Sequence, residues 1–122
     1  MTDIGDLYCF GRGYTQNYTE ARTWYEKGVA LGDPNAMNRL GDLYKDAWGV
    51  PQDYAEAKKW FERASELGSG DAMVNLGVLY ENGLVGRVDT RQARLLYQRA
   101  MDARNIRPSN RRRAIERLQR LQ

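Results

Sequence analysis

The chain has 122 residues, 42% of them hydrophobic and 29% charged, with a net charge of +3. That is one domain's worth of chain, and no apolar run reaches the roughly 18 residues a membrane span needs. With no histidine and a single cysteine, it lacks the means for a disulfide framework, a histidine-containing or all-thiolate zinc site, or a Ser-His-Asp or Cys-His centre.

The first predicted helix runs through "DIGDLYCFG" at 3–11, and its wording returns as "RLGDLYKDA" at 39–47 and "NLGVLYENG" at 75–83. Gly5, Gly41 and Gly77 are spaced by 36 residues, as are Tyr8, Tyr44 and Tyr80. The same period aligns Met1, Met37 and Met73; Ala21, Ala57 and Ala93; Tyr25, Phe61 and Tyr97; and Trp24 and Trp60 with Leu96. Self-similarity of this length marks stacked structural units. A glycine inside a helix costs about 1 kcal/mol, so its return at one position predicts the close approach of another backbone there. Met1 falls in register with Met37, which leaves the first helix without the capped turn of the other two. Either the chain starts with a short helix or it is cut from a longer array.

The second predicted helix opens at Asn17 with Glu20 three residues on, the spacing of a capping box. Asn17-Tyr18-Thr19 is also a glycosylation sequon. The cap is preferred, because Asp53…Glu56 and Asp89…Gln92 occupy the same position in the later units. The third helix opens on Asp33-Pro34, a cap and a first-turn proline. Met37, Leu40 and Tyr44 share one face of it, and it ends at "DAWGV" with Gly49 and Pro51 as breakers. Trp48 has Arg12 and Leu84 as its counterparts; it is either a lid on the local core or an exposed anchor.

The fourth helix carries its apolar stripe on Ala57, Trp60, Phe61, Ala64 and Leu67. It stops at Gly68, as the second stops at Gly32. In the third unit Arg104-Asn105 replaces that glycine, which predicts a slightly longer helix. "RPSN" at 107–110 reads as a break and 111–121 as a final helix with Ala114, Ile115, Leu118 and Leu121 on one side. Such a helix hides the last hydrophobic face of a stack.

Residues 48–80 resemble the Sel-one-like (SLR) repeat, a relative of the tetratricopeptide repeat. The shared parts are L-G-x-x-Y in the first helix, G-V-P-x-D-Y in the loop, and A-x-x-W-[FY]-x-x-A in the second helix. The resemblance covers 1–105; the third unit departs from it, with "GLVGRVD" for "GVPQD" and Leu96 for tryptophan. One cysteine excludes the cysteine-rich branch of these proteins. The resemblance implies an all-α, right-handed α–α superhelix of three helical hairpins plus a C-terminal capping helix. As a single domain over 1–122, its repeats would span 1–35, 36–71 and 72–107, with the cap at 108–122.

Enzyme chemistry finds little support. "GRG" at 11–13 and "GLVG" at 83–86 lack nucleotide-loop spacing. No serine has a lysine three residues later. Asp42 and Asp46 read as a solvated helix face and not as a catalytic carboxylate pair. The expectation is a non-enzymatic scaffold or adaptor without cofactor or metal. It would bind a partner protein or peptide on a concave face that the family resemblance lines with the first helix of each unit. The residues there are Asp6, Cys9, Asn38, Asp42, Lys45, Val74, Val78 and Glu81. Val78 stands where aspartate stands twice before, so it implies a contact, either with a partner or with the final helix.

Charge suggests the alternative. Residues 87–122 carry eleven arginines against three acids, a net +8, so residues 1–86 carry −5. Arg104, Arg107, Arg111, Arg112 and Arg113 form a basic patch suited to the phosphates of nucleic acid or anionic lipid. No aromatic residues interleave with them to stack bases, which makes nucleic acid the weaker reading. Self-association through the incomplete first repeat is a third possibility. The start, "MTDIGDLYCF", has neither the basic nor the long apolar segment of a secretory signal. One cysteine suits a reducing compartment, so the expected location is the cytoplasm. It becomes periplasmic or secreted if a signal segment is missing.

Overall fold

The computed structural model describes residues 2–11 and 17–121; the expectations that fall on Met1 and on residues 12–16 lie outside them. The described residues form α1 (Thr2–Phe10), α2 (Tyr18–Ala30), α3 (Pro34–Asp46), α4 (Tyr54–Glu66), α5 (Gly70–Glu81), α6 (Thr90–Asp102) and α7 (Pro108–Arg120). None of these helices is long and apolar enough to cross a membrane. The 36-residue period is kept in three dimensions: α2, α4 and α6 each have 13 residues and begin at Tyr18, Tyr54 and Thr90.

The caps explain why the helices begin where they do. The side chains of Asn17, Asp53 and Asp89 each accept the backbone N–H three residues on, at 3.0 Å. The other half of the expected capping box is replaced. The caps' own N–H groups donate to the carbonyls of Tyr8, Tyr44 and Tyr80 at 2.8, 2.9 and 2.9 Å. Each hairpin is thus tied from the end of its first helix to the start of its second, and the recurring tyrosine marks that tie.

Gly5 and Gly77 do meet the close neighbour their recurrence predicts: at both it is a tyrosine ring, and at Gly5 a backbone oxygen, Ala21 O, would also lie 3.2 Å from a Cβ. A Cβ on Gly5 would lie 2.5 Å from Tyr25 Cε1, and one on Gly77 would lie 2.6 Å from Tyr97 Cε1. Both tyrosines are wholly buried. Glycine is therefore required so that the second helix of the hairpin can lay its aromatic ring across the first.

Two helix ends depart from expectation. The α6 helix is no longer than α2 or α4, although no glycine ends it. It stops because the chain turns extended at Ala103, and the Gly70 N–H then donates to Asn105 O at 2.8 Å. The final helix starts three residues earlier than expected. Arg107 is its N-cap and Pro108 its first residue, so "RPSN" is a helix start and not a break: proline's fixed φ suits the first turn.

The chain divides into two compact units, through Trp60 and from Phe61, with the division inside α4. In the first, α1, α2 and α3 pack together around Cys9, Ala21, Tyr25, Leu40 and Leu43. Trp48 packs on this core, stacked on Tyr18 with centroids 6.0 Å apart and edge-on to Phe10 at 5.9 Å; it is a lid. In the second unit α5, α6 and α7 pack together, and Leu76, Leu79, Ala93, Leu96, Tyr97 and Ala114 are buried.

Candidate functional site

The first-helix face of the first unit is a charged network. The Arg39 side chain on α3 reaches α1, with Nε and Nη2 donating to the two Asp6 carboxylate oxygens at 2.9 and 3.4 Å. The Tyr25 hydroxyl donates to the same Asp6 at 2.5 Å. Arg39 also pairs with Asp42 at 3.4 Å, and Lys45 lies 3.7 Å from the other Asp42 oxygen. Two acids and two bases therefore neutralise one another, and the forked pairing of Arg39 with Asp6 fixes α1 against α3.

The protonation states follow from this packing. Burial and the hydrogen bond to Asp6 push the Tyr25 hydroxyl far above its ordinary value. Burial also raises the Asp42 carboxyl, against the pull of Lys45 and Arg39. Burial works against the Arg39 charge, but Asp6 and Asp42 outweigh it and raise that group. Burial raises the Cys9 thiol too, and Cys9 is 1% exposed. A buried thiol with a raised pKa is an inert core group and not a nucleophile.

In the second unit the equivalent tyrosine, Tyr97, donates to Glu81 at 2.6 Å, and Arg117 Nη1 donates to the same oxygen at 3.1 Å. Val78 fills the slot that Asp6 fills in the first repeat, so the carboxylate comes from one helical turn later. Burial pushes the Glu81 carboxyl up, but the bonds from Tyr97 and Arg117 outweigh it and hold it below its ordinary value.

The eight expected face residues therefore sit at different depths. Cys9, Asn38, Asp42 and Val74 are buried, while Asp6, Lys45, Val78 and Glu81 keep partial exposure. Partly exposed Arg39, the hub of the first unit's charged network, is not among the eight. Its signal was its place three residues before Asp42, but nothing local showed that it would reach Asp6.

The arginine patch is partly consumed inside its own unit. Buried Asp71 accepts the Arg107 N–H at 3.0 Å, Arg107 Nε at 3.1 Å and Asn110 Nδ2 at 2.8 Å. Arg111 Nη2 donates to Ala103 O at 2.8 Å, just past the end of α6. Arg113 donates to Asn110 at 3.2 Å. Arg104 and Arg112 are exposed. Three of the five arginines thus secure α7 and the turn before it.

The Sel1 repeat family model matches residues 1–33, 34–69 and 70–105. No curated protein matches the chain. Among solved structures, a Sel1 repeat protein from Oxalobacter formigenes is 30% identical with a TM-score of 0.75; the alignment covers 83% of this chain and 41% of that one. A protective antigen present in uropathogenic Escherichia coli strains, displaying an SLR fold, is also 30% identical. Its TM-score is 0.74, over 83% of this chain and 22% of that one. The chain spans less than half the length of either. Three matched repeats, the capped 36-residue hairpins and the tyrosine packed on Gly5 and on Gly77 agree, and the chain belongs to the Sel1 repeat family.

Proposed function

We propose that this chain is an interaction scaffold that binds a partner protein or peptide on the first-helix faces of its units, that of α1 and α3 in the first and that of α5 in the second. The observation that carries the reading is the layering within each face. Asp6, Lys45 and Glu81 keep partial exposure above neighbours that are buried and hydrogen-bonded, so their positions are set before a partner arrives. Charged groups held in advance lose little freedom on binding, which favours affinity. Half-buried Val78 adds an apolar contact. Sel1 repeat proteins generally act as protein–protein interaction scaffolds.

The test is capture of partners from the source cell with the wild type and with a Lys45→Gln/Val78→Asn variant. The variant should keep its helicity and lose the partners. Retention of every partner overturns the face assignment. Arg104→Gln/Arg112→Gln should leave the partners bound. If instead the wild type binds RNA or acidic vesicles with steep salt dependence, and this second variant does not, the polyanion reading replaces the first. The internal bonds of Arg107, Arg111 and Arg113 weigh against that outcome.

One observation favours self-association as a second property. Ile4 is 36% exposed, whereas its counterparts Leu40 and Leu76 are 3% and 4% exposed. Sedimentation over a range of concentrations tests whether a second copy covers α1; a monomer throughout discards the idea.

A further inference from the structure

Within the first unit, α2, α3 and α4 surround a cavity of about 250 Å³. Val29, Ala30, Leu40 and Trp60 supply apolar wall, and Arg22, Glu26 and Tyr44 supply polar groups. The volume lies below the roughly 300 Å³ at which clefts for drug-sized ligands and cofactors begin. It suits one large apolar side chain.

The polar groups have a specific arrangement. Arg22 and Glu26 lie on successive turns of α2 with 3.5 Å between Nε and Oε1, and their side chains are 44% and 57% exposed. They therefore stand at the mouth, while Leu40, 3% exposed, stands at the back. The Tyr44 hydroxyl accepts from Arg22 Nη2 at 3.5 Å, which leaves its own proton to donate outward. The mouth thus presents a cation with an added donor beside an anion.

We propose that this cavity binds a free α-amino acid with a large apolar side chain. The carboxylate and ammonium of such a molecule sit on one carbon, at a separation like that of the Arg22–Glu26 pair. Set antiparallel, carboxylate to Arg22 and Tyr44 and ammonium to Glu26, all four charges meet opposite partners. The side chain then displaces water from the apolar wall, which supplies most of the driving force. A purely anionic or cationic ligand meets one partner and is repelled by the other. A blocked peptide brings neither charge. This inference stands apart from the proposed scaffold role, since no residue of the cavity belongs to the first-helix face described above.

The probes are L-phenylalanine and L-leucine, titrated while the Trp60 indole N–H resonance is followed; its assignment is fixed by a Trp60→Phe variant. Both should shift that resonance saturably. Phenethylamine, which lacks the carboxylate, and 3-phenylpropionate, which lacks the ammonium, should each bind about two- to fivefold more weakly than phenylalanine, the factor that exposed ion pairs give. Arg22→Gln should erase the preference for phenylalanine over phenethylamine. Glu26→Gln should erase the preference over 3-phenylpropionate. Ala30→Trp, at an exposed position of the wall, should fill the cavity and abolish the shift. The assignment is overturned if neither amino acid moves the resonance at concentrations on the order of 10 mM. It is equally overturned if N-acetyl-phenylalanine amide binds as well as phenylalanine, since the cavity would then read no charge.

Discussion

Gly77→Ala tests the packing rule of the repeat most directly. In an unobstructed helix, alanine is about 1 kcal/mol better than glycine, so local preference alone predicts a gain. The tertiary structure reverses the sign. The new Cβ would lie 2.6, 3.0 and 3.1 Å from Cε1, Cδ1 and Cζ of Tyr97, all inside the roughly 3.5–4.0 Å of comfortable carbon contact. The ring is fully buried, and its hydroxyl is held by Glu81 at 2.6 Å. It has no free direction in which to swing. Overpacking of this kind costs about 1–3 kcal/mol. Loss of the bond to the carboxylate adds about 1.5–3 kcal/mol if the ring is forced aside. Set against the helix gain, the net is a loss of up to about 2 kcal/mol if the ring stays in place, and of about 1.5–5 kcal/mol if it is forced off the carboxylate. Urea unfolding followed by far-UV dichroism measures it as a lower midpoint at unchanged slope. In a Tyr97→Leu background, where the ring is gone, the same alanine should be neutral or stabilising. A stabilised Gly77→Ala in the wild-type background, or an equal cost in both backgrounds, would refute the steric account.

Three further predictions use other parts of the structure. Asn17→Ala should cost about 1 kcal/mol as a lost N-cap, whereas Glu20→Ala should cost little, because the Asn17 N–H is already taken by Tyr8 O; equal losses in urea unfolding would restore the full capping box. Asp71→Ala leaves Asn110 Nδ2 and the Arg107 N–H without their shared acceptor. It should cost about 2–4 kcal/mol and speed hydrogen exchange in α7 more than in α2. For pH, Glu81 sits below its ordinary 4.5, so its contribution is present above that pH and is lost as pH falls through the folded value. Tyr25 and Tyr97 sit far above their ordinary 10.0, so their contribution is complete below pH 10 and fades as pH rises beyond it. Melting temperature against pH should show both limbs, with Glu81→Gln flattening the acid one and Tyr25→Phe the alkaline one.

Within the chain, short-range pattern was enough for the hairpins. Each is specified by groups a few residues apart: an aspartate or asparagine cap, a stripe at helical spacing and a terminal stop. The period then carried that reading through three units. The recurring glycine also announced a close contact, although spacing has no way to show that the contact is a tyrosine ring. The lid role of Trp48 remained open for a related reason. Its partners, Tyr18 and Phe10, lie 30 and 38 residues away.

By itself, then, the sequence determined the helical class, the 36-residue unit, the caps and the family to which the chain belongs. All of these rest on contacts along one helix or on repetition. Only the tertiary structure decided which charges meet. Arg39 reaches Asp6 across 33 residues, and Arg107 and Arg117 reach Asp71 and Glu81 across 36. It decided too that Cys9, Asn38, Asp42 and Val74 lie inside, and that a cavity opens beside Trp60. Side-chain pairing and burial depend on distances between helices that are remote in sequence. The periodic pattern is nearly the same in each copy, so it does not contain the differences between copies that set those distances.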